Sequence, residues 1–333
     1  MNIKSKILEF VEGKNKISFN ALALDIFKYQ AEHNSIYREF LRLSGKLDIT
    51  PRSFEEIPCL PIGLYKKYEI KSGDWSDGQV FKSSGTTEMF ERSMHHVKDI
   101  EFYHKLSHSI FKNFYQGDNY EILGLLPSYM EAGHSSLVSM VTHLMSIYNK
   151  DKQAFYMYDF EGLHNAVNRL LAQSDKTVLI FGVSFALLDF AESFRNDSKR
   201  LKFIFTGGMK GRRRELTYEE IKDELQRVFP SSSIDSEYGM TEMFSQAYTV
   251  EGYSGLYLPG KSLRLIPKEI NDPFKNARYG KTAQLAFVDL GNVDTLSFVM
   301  TDDLCTCYAD GSFDLHGRLK DSDLRGCNML YQS

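Results

Sequence analysis

The sequence predicts an α/β domain built on a largely parallel β-sheet that is covered by helices. From Glu121 onward, short continuous apolar runs such as Ile122-Leu123-Gly124-Leu125-Leu126 alternate with segments of helical periodicity. Continuous apolar strands between amphipathic helices are typical of parallel sheets with both faces buried. The chain has 333 residues, of which 42% are hydrophobic, and is therefore long enough to bury such a core.

The elements are predicted in chain order from their spacing and their end signals. Apolar residues at helical spacing predict that residues 1–75 form a helical segment packed on the main domain. Residues 93–97 alternate like a strand, and Asp99 then caps a helix. Thr217 and Glu220 have the spacing of a capping box, which predicts a helix beginning near Tyr218. Further helices are predicted at 135–148, 160–173 and 185–194, and strands at 154–158, 177–181 and 201–205.

Composition and charge exclude several classes of protein. A net charge of −4 argues against a general nucleic-acid binder, which normally carries a basic excess. The sequence shows no run of about 18 apolar residues and no signal peptide, so we expect no membrane span and a cytoplasmic location. The cysteines lack zinc-finger spacing and do not indicate a disulfide framework: Cys59, Cys305, Cys307 and Cys327.

A glycine flanked by small hydroxyl residues is the first candidate site. Ser83-Ser84-Gly85-Thr86-Thr87 follows the apolar lead-in Gln79-Val80-Phe81. Successive backbone N–H groups beside hydroxyl donors suit a cluster of phosphate oxygens. The stretch is not a Walker loop, because the second glycine and the Gly-Lys-Ser/Thr ending are missing. A polar surface turn is the alternative interpretation. Downstream of this stretch, His95 and His96 are adjacent on a predicted strand and point to opposite faces, which favours a structural role over metal binding.

Ligands of open α/β sheets bind beyond the carboxyl ends of the strands. Thr206-Gly207-Gly208 lies at one such end, and for the basic run 210–214 that follows we favour a solvated loop over an anion contact. Tyr238-Gly239-Met240-Thr241-Glu242 lies at another. This set can stack a base on Tyr238, bond a phosphate through Thr241 and hold a magnesium ion through Glu242.

Two more motifs follow downstream, Thr301-Asp302-Asp303-Leu304 and Gly317-Arg318-Leu319-Lys320-Asp321. Together with the hydroxyl stretch and the Tyr-Gly-Met-Thr-Glu motif, they occur in the order used by adenylate-forming enzymes, which make acyl-AMP from a carboxylic acid and ATP. The chain resembles that superfamily. Residues 125–131 with 134–137, and the ending Arg325-Gly326-Cys327-Asn328, are similar to the acyl-protein synthetases of bacterial luminescence.

The resemblance implies an adenylate-forming core domain at residues 76–300, then a hinge and short tail at 301–333 in place of a complete C-terminal lid. It implies that ATP and Mg²⁺ activate a long-chain fatty acid, that Cys327 then carries the acyl group, and that a reductase partner makes the aldehyde. Tyr238 would lie along adenine, Asp303 would contact the ribose and Glu242 would bind magnesium. The catalytic set it implies is Thr241, Glu242, Arg318 and Cys327. The nucleotide contacts it implies are Ser83, Ser84, Gly85, Thr86, Thr87, Gly207, Gly208, Tyr238, Gly239, Met240 and Asp303.

The sequence departs from the superfamily pattern at three places. Glu88 and Met89 follow Thr87 where glycine and lysine are usual, and Asp302 stands where a glycine is usual. The lid lysine of the larger relatives is absent from the chain. Two alternatives therefore remain open: an acyl-CoA ligase, which would leave Cys327 idle, and an inactive nucleotide- or acyl-binding partner of a reductase.

Overall fold

The computed structural model describes residues 2–76, 78–83, 92–117, 119–127, 132–149, 154–207, 216–250 and 255–319. Within these ranges the helices are α1 Ile3–Val11, α2 Phe19–His33, α3 Ser35–Leu43, α4 Ile100–Phe114, α5 Ser136–Tyr148, α6 Phe160–Gln173, α7 Ser184–Ser193 and α8 Tyr218–Val228. The strands are β1 Leu60–Pro61, β2 Gln79–Lys82, β3 Met94–Val97, β4 Tyr120–Leu125, β5 Thr177–Val183, β6 Leu201–Thr206, β7 Ser233–Tyr238, β8 Ala247–Thr249, β9 Tyr257–Pro259, β10 Leu263–Glu269, β11 Asp272–Asn276, β12 Thr282–Asp289, β13 Phe298–Cys307 and β14 Phe313–Arg318.

One mixed sheet forms the centre of the described structure. Its strand order is β11-β10-β12-β13-β14-β9-β8-β7-β6-β5-β4, with β1 paired in parallel to β13. Strands β4 to β7 are parallel to one another. On the other side of β7, every neighbouring pair along the strand order, from β7–β8 to β10–β11, is antiparallel. The pair β2–β3 stands apart as a second, antiparallel sheet. The predicted α/β class is confirmed, and strands β4 to β7 form the parallel part of the sheet.

Burial explains the continuous apolar runs that predicted these strands. Helix α5 packs on β4, α6 on β4 and β5, α7 on β5 and β6, and α8 on β7. Strands β4, β5 and β6 are consequently buried along nearly their whole lengths. Most of the chain's buried apolar residues, from Ile7 to Phe313, form one contiguous core.

The helix ends follow the capping signals of the sequence. The side chains of Asp99 and Ser135 accept hydrogen bonds from the third residues of α4 and α5. Thr217 and Glu220 form the reciprocal capping box at the start of α8, as predicted. The predicted strand at 154–158 is wrong in extent: only Phe155 bridges Gly124 on β4, and the chain then turns into the cap of α6.

Buried amide side chains join the N-terminal helices to the turn between β12 and β13. The Gln30 amide nitrogen donates to the carbonyls of Asn292 (2.9 Å) and Val293 (3.1 Å), and its oxygen accepts from the Ser297 N–H at 3.0 Å. Asn34 donates to the Thr295 carbonyl at 3.1 Å. Both side chains are completely buried. The predicted domain boundaries at residues 75 and 300 stay predictions.

No helix in the part of the chain that the structure describes is long and apolar enough to cross a membrane.

We predict that Gln30→Ala lowers the free energy of unfolding by about 1–3 kcal/mol, because it removes three buried hydrogen bonds, among them the one that satisfies the Ser297 N–H. Urea unfolding at neutral pH measures the change. The matched control is Gln173→Ala at the exposed end of α6, which should stay within about 0.5 kcal/mol of the parent. Equal losses of unfolding free energy in the two variants would show that the Gln30 hydrogen bonds do not stabilise the contact of α2 with the turn between β12 and β13.

Candidate functional site

Three of the predicted site residues meet although they are far apart in the sequence. Tyr238 ends β7, and its hydroxyl donates to Asp303 Oδ2 at 2.7 Å. Arg318 on β14 lies opposite Asp303 on β13, and its Nε donates to Asp303 Oδ1 at 2.7 Å. Asp303 therefore accepts a hydrogen bond on each carboxylate oxygen and connects the end of the parallel strands to the antiparallel strands.

The neighbourhood of Asp303 explains why the motif begins with threonine. The Thr301 hydroxyl accepts a hydrogen bond from the Asp303 N–H at 3.1 Å and donates to the Leu285 carbonyl at 2.8 Å. This holds the Asp303 backbone on the neighbouring strand β12. The Arg318 side chain is 74% exposed, so its guanidinium remains accessible to a ligand. Tyr238 is only 8% exposed, because its ring packs against those of Tyr257 and Phe313.

A second group of interacting side chains surrounds Glu242, whose carboxylate is buried. Burial raises the pKa of Glu242, and a hydrogen bond from the Ser93 hydroxyl opposes that rise. The positive charge of Arg318 also lowers the pKa of Glu242, so these two predicted residues share one electrostatic environment. Asn292 donates to the Glu242 carbonyl at 2.7 Å and fixes its backbone.

Asp289 holds the chain that follows Glu242. Its Oδ2 accepts from the N–H groups of Phe244 (2.8 Å) and Ser245 (2.9 Å). Its Oδ1 accepts from the Ser245 hydroxyl (2.6 Å) and from the N–H of Gly291 (2.8 Å). Burial raises the pKa of Asp289, and these donors oppose that rise by stabilising the charged form. Sequence reasoning missed Asp289; its only signal is an acid at the end of a buried apolar strand.

The hydroxyl stretch begins at a hydrogen-bonded pair of serines. The Ser93 N–H donates to Ser83 Oγ at 3.0 Å, and the Ser83 N–H donates to the Ser93 carbonyl at 3.1 Å. Ser83 and Ser93 thus close the two ends of the segment between β2 and β3. The other predicted site residues of this stretch, together with the basic run 210–214 and two further positions, lie outside the described residues: Ser84, Gly85, Thr86, Thr87, Gly208 and Cys327.

Two predicted glycines occupy positions that glycine suits. Gly207 follows β6 with φ of 68°, in the left-handed region that side chains rarely adopt. A Cβ at Gly239 would overlap the Glu237 carboxylate oxygen Oε1. Met240 is half-buried next to Gly239. Gly207 therefore lets the backbone turn at the end of β6, and Gly239 lets the chain pass close to the carboxylate of Glu237.

Glu237 is a second acid that sequence reasoning missed. It precedes Tyr238, is buried, and accepts a hydrogen bond from the Thr206 hydroxyl on β6. Burial raises the pKa of Glu237 to about 7, and the Thr206 bond opposes the rise. The signal in the sequence is an acid one residue before the end of a predicted strand, and the structure buries most of that strand.

We predict that Glu237→Gln stabilises the protein above neutral pH. Below pH 4.5 both the folded and the unfolded states keep the Glu237 proton; between pH 4.5 and 7 only the unfolded state releases it, and the stability of the parent falls. The difference in free energy of unfolding should therefore grow with pH and level off above pH 7 at about 3 kcal/mol. Urea unfolding at pH 5 and pH 8 measures it, with exposed Glu161→Gln as the control. The same pH dependence in parent and Glu237→Gln would contradict the prediction.

Comparison with known proteins identifies only the fold of this chain. No protein-family model matches the chain, and the comparison with curated proteins found no match. A 2-hydroxyisobutyryl-CoA ligase, solved in the postadenylation state with R3-HIB-AMP, is a similar structure, with a TM-score of 0.62 at 13% identity over 96% of this chain and 68% of that one. The O-succinylbenzoate coenzyme A synthetase MenE of Bacillus subtilis, solved with AMP, has a TM-score of 0.53 at 14% identity over 73% of this chain and 50% of its own. The ATP-bound MatB of Rhodopseudomonas palustris has a TM-score of 0.51 at 12% identity over 72% and 47%.

The chain thus spans about half the length of MatB and MenE. At such low identity the likeness shows the fold alone. It confirms the predicted adenylate-forming-enzyme-like fold, whereas the narrower resemblance to acyl-protein synthetases stays a prediction. The chain therefore has the α/β fold that MatB, MenE and the 2-hydroxyisobutyryl-CoA ligase share, with a large mixed sheet covered by helices.

Proposed function

We propose that the protein activates a carboxylic acid with ATP to give acyl-AMP and pyrophosphate. The observation that carries the proposal is the contact of Tyr238 and Arg318 with Asp303, because it unites three superfamily motifs at the carboxyl edge of the parallel strands. The structural neighbours support it, since they were solved with bound ATP, AMP or an acyl-adenylate.

The proposed chemistry makes a poor electrophile reactive. A carboxylate oxygen of the acid forms a bond to the α-phosphorus of ATP, the bond from that phosphorus to the bridging oxygen breaks, and pyrophosphate leaves with the electron pair. AMP is then a good leaving group on the acyl carbon. The step needs donors and cations around the phosphates, with in-line geometry for the attack. Exposed Arg318, the Thr241 hydroxyl and the hydroxyl stretch from Ser83 to Thr87 are the groups we assign to this task.

The nucleotide base and sugar are assigned to the Tyr238–Asp303 pair. Each oxygen of the Asp303 carboxylate has a second lone pair, so the group can accept ribose hydroxyls while it keeps Tyr238 and Arg318. The Tyr238 side chain would lie along adenine. Gly207, Gly208, Gly239 and Met240 complete the proposed contacts through their backbone.

Glu242 fits the role of a magnesium ligand. Magnesium in phosphoryl-transfer sites is held by one or two carboxylates together with substrate phosphates. Burial raises the pKa of Glu242, and a bound cation would favour its charged form. The ion would supply positive charge to the phosphates. No cluster of three metal-ligating side chains occurs among residues that the structure describes.

The finer proposal is that the acid is a long-chain fatty acid, and that Cys327 carries the acyl group to a reductase partner in the cytoplasm. The other three cysteines are buried. Burial raises the pKa of the Cys59 thiol to about 11, and a hydrogen bond to Cys307, together with burial, raises the pKa of Cys305. Buried thiols with raised pKa are poor nucleophiles, which favours Cys327 as the acceptor.

An acyl-CoA ligase is the second candidate, because two structural neighbours are a coenzyme A synthetase and a coenzyme A ligase. In that case free coenzyme A would take the acyl group from AMP, and Cys327 would have no part in the reaction. Product analysis with and without coenzyme A separates the two candidates.

We predict that Asp303→Asn slows acid-dependent exchange of pyrophosphate into ATP roughly 10- to 100-fold, because it weakens charge-assisted hydrogen bonds of about 1.5–3 kcal/mol. The matched control is its exposed neighbour Asp302→Asn, which should keep most of the activity. No acid-dependent exchange in the parent protein would refute the proposed function. Equal rates in the two folded variants would refute the assignment of Asp303.

We predict that Cys327→Ser still forms acyl-AMP but no longer accumulates a hydroxylamine-labile acyl group. Mass spectrometry of the intact protein, after incubation with ATP, magnesium and a fatty acid, detects the added mass. Cys307→Ala is the control and should be labelled like the parent. A labile acyl group on Cys327→Ser, or none on the parent, would exclude the carrier role.

A further inference from the structure

His95 is a buried side chain with two well-defined hydrogen-bond partners. It lies on β3 and is completely buried. Its Nδ1 is 2.7 Å from the Thr241 carbonyl oxygen, and its Nε2 is 3.0 Å from the Thr295 hydroxyl. A carbonyl can only accept, so the proton sits on Nδ1. Nε2 then accepts from the Thr295 hydroxyl at 3.0 Å, whereas the Asn292 carbonyl, another acceptor for that hydroxyl, is farther away at 3.5 Å.

The surroundings of the His95 ring keep it neutral and fix its orientation. Burial lowers the pKa of His95 to about 4, the Thr241 bond opposes the shift, and neighbouring His96 adds to it. The Phe244 ring packs against the imidazole with centroids 4.8 Å apart, and Tyr65 contacts it edge-on at 6.0 Å. The imidazole is therefore a rigid, uncharged donor that is directed at one backbone carbonyl.

One face of the β3 segment contacts two consecutive residues of the Tyr-Gly-Met-Thr-Glu motif. Ser93 and His95 are two residues apart and so point to the same side of an extended chain. The Ser93 hydroxyl bonds Glu242, and His95 bonds the Thr241 carbonyl. Ser93 is also paired with Ser83, where the hydroxyl stretch begins. The same short segment therefore contacts both candidate phosphate-binding regions.

We propose that His95 is a positioning residue: by holding the Thr241 carbonyl, it sets the distance between the Ser83–Ser93 pair and the Thr241–Glu242 pair. This inference rests on the proposed function, since both regions are assigned there to the triphosphate and its cation. An error of about 1 Å in such a distance can cost roughly 100-fold in rate. His95 itself does not touch the reacting atoms.

Two amide variants separate positioning from stability. In His95→Asn the amide nitrogen can occupy the place of Nδ1 and keep the bond to the Thr241 carbonyl. In His95→Gln the amide reaches the place of Nε2 and keeps only the Thr295 contact. Each variant loses one hydrogen bond and the ring packing, so their thermal stabilities should fall by similar amounts. The activities of the two variants should differ. We expect His95→Asn to keep a kcat for pyrophosphate exchange within a few-fold of the parent. We expect the kcat of His95→Gln to fall at least tenfold, at unchanged KM for the acid.

Two further measurements keep the proposal open to refutation if a variant fails to fold or if the parent shows no exchange. Nitrogen-15 NMR of the parent imidazole should show the neutral form protonated on Nδ1, and protonation on Nε2 would overturn the proposal. Titration with magnesium-ATP should show weaker binding, by about tenfold, for His95→Gln than for His95→Asn. Equal loss of kcat and of nucleotide affinity in the two folded variants would also overturn it. Absence of exchange in the parent, with the difference in magnesium-ATP affinity retained, would refute acid activation and leave the positioning role supported.

Discussion

The four hydrogen bonds of the Asp289 carboxylate are the interaction on which the candidate site depends most. Three of its donors belong to the chain just after Glu242, and the fourth belongs to the turn that contains Asn292. The Asn292 carbonyl of that turn accepts a hydrogen bond from the Gln30 amide of α2. An ionised carboxylate with several N–H and O–H donors is well stabilised even when buried, whereas the same donors without it would be left unsatisfied. One acid thus connects the site loop, the main sheet and the N-terminal helices.

The site also depends on the change of strand direction within the sheet. Parallel strands β4 to β7 bring their carboxyl ends to one edge, where Thr206, Gly207 and Tyr238 lie. From β7 onward the pairing is antiparallel, and β13 and β14 return past the same edge. Asp303 and Arg318 can reach Tyr238 only because the two parts belong to one continuous sheet. A purely parallel sheet would not bring a hairpin back to this edge, since parallel strands need long crossover connections.

Two buried carboxyls of the site differ in how they are stabilised. Glu237 has the Thr206 hydroxyl as its one assigned donor, and burial raises its pKa to about 7. Asp289 has four donors, which oppose the effect of burial on its pKa. The difference follows from donor number, because each N–H or O–H that points at a carboxylate favours the charged form. Near neutral pH the Glu237 carboxyl is therefore partly protonated, whereas the four donors around Asp289 favour the charged form of that carboxyl.

The sequence by itself determined the fold class, the parallel strands, most helix ends and the motifs that meet at the site. These depend on local signals: apolar runs of strand length, and capping side chains such as Asp99, Ser135 and Thr217 within three residues of the groups they bond. It overestimated the segment at 154–158, because an apolar run alone does not show whether a full pairing partner exists.

Only the tertiary structure decided the roles of Gln30, His95, Glu237 and Asp289. Gln30, His95 and Asp289 bond partners 44 or more residues away, and the Thr206–Glu237 contact requires β6 and β7 to be neighbours. Whether a buried polar side chain is satisfied depends on which distant backbone groups the completed fold brings to it, and no local pattern in the chain contains that information.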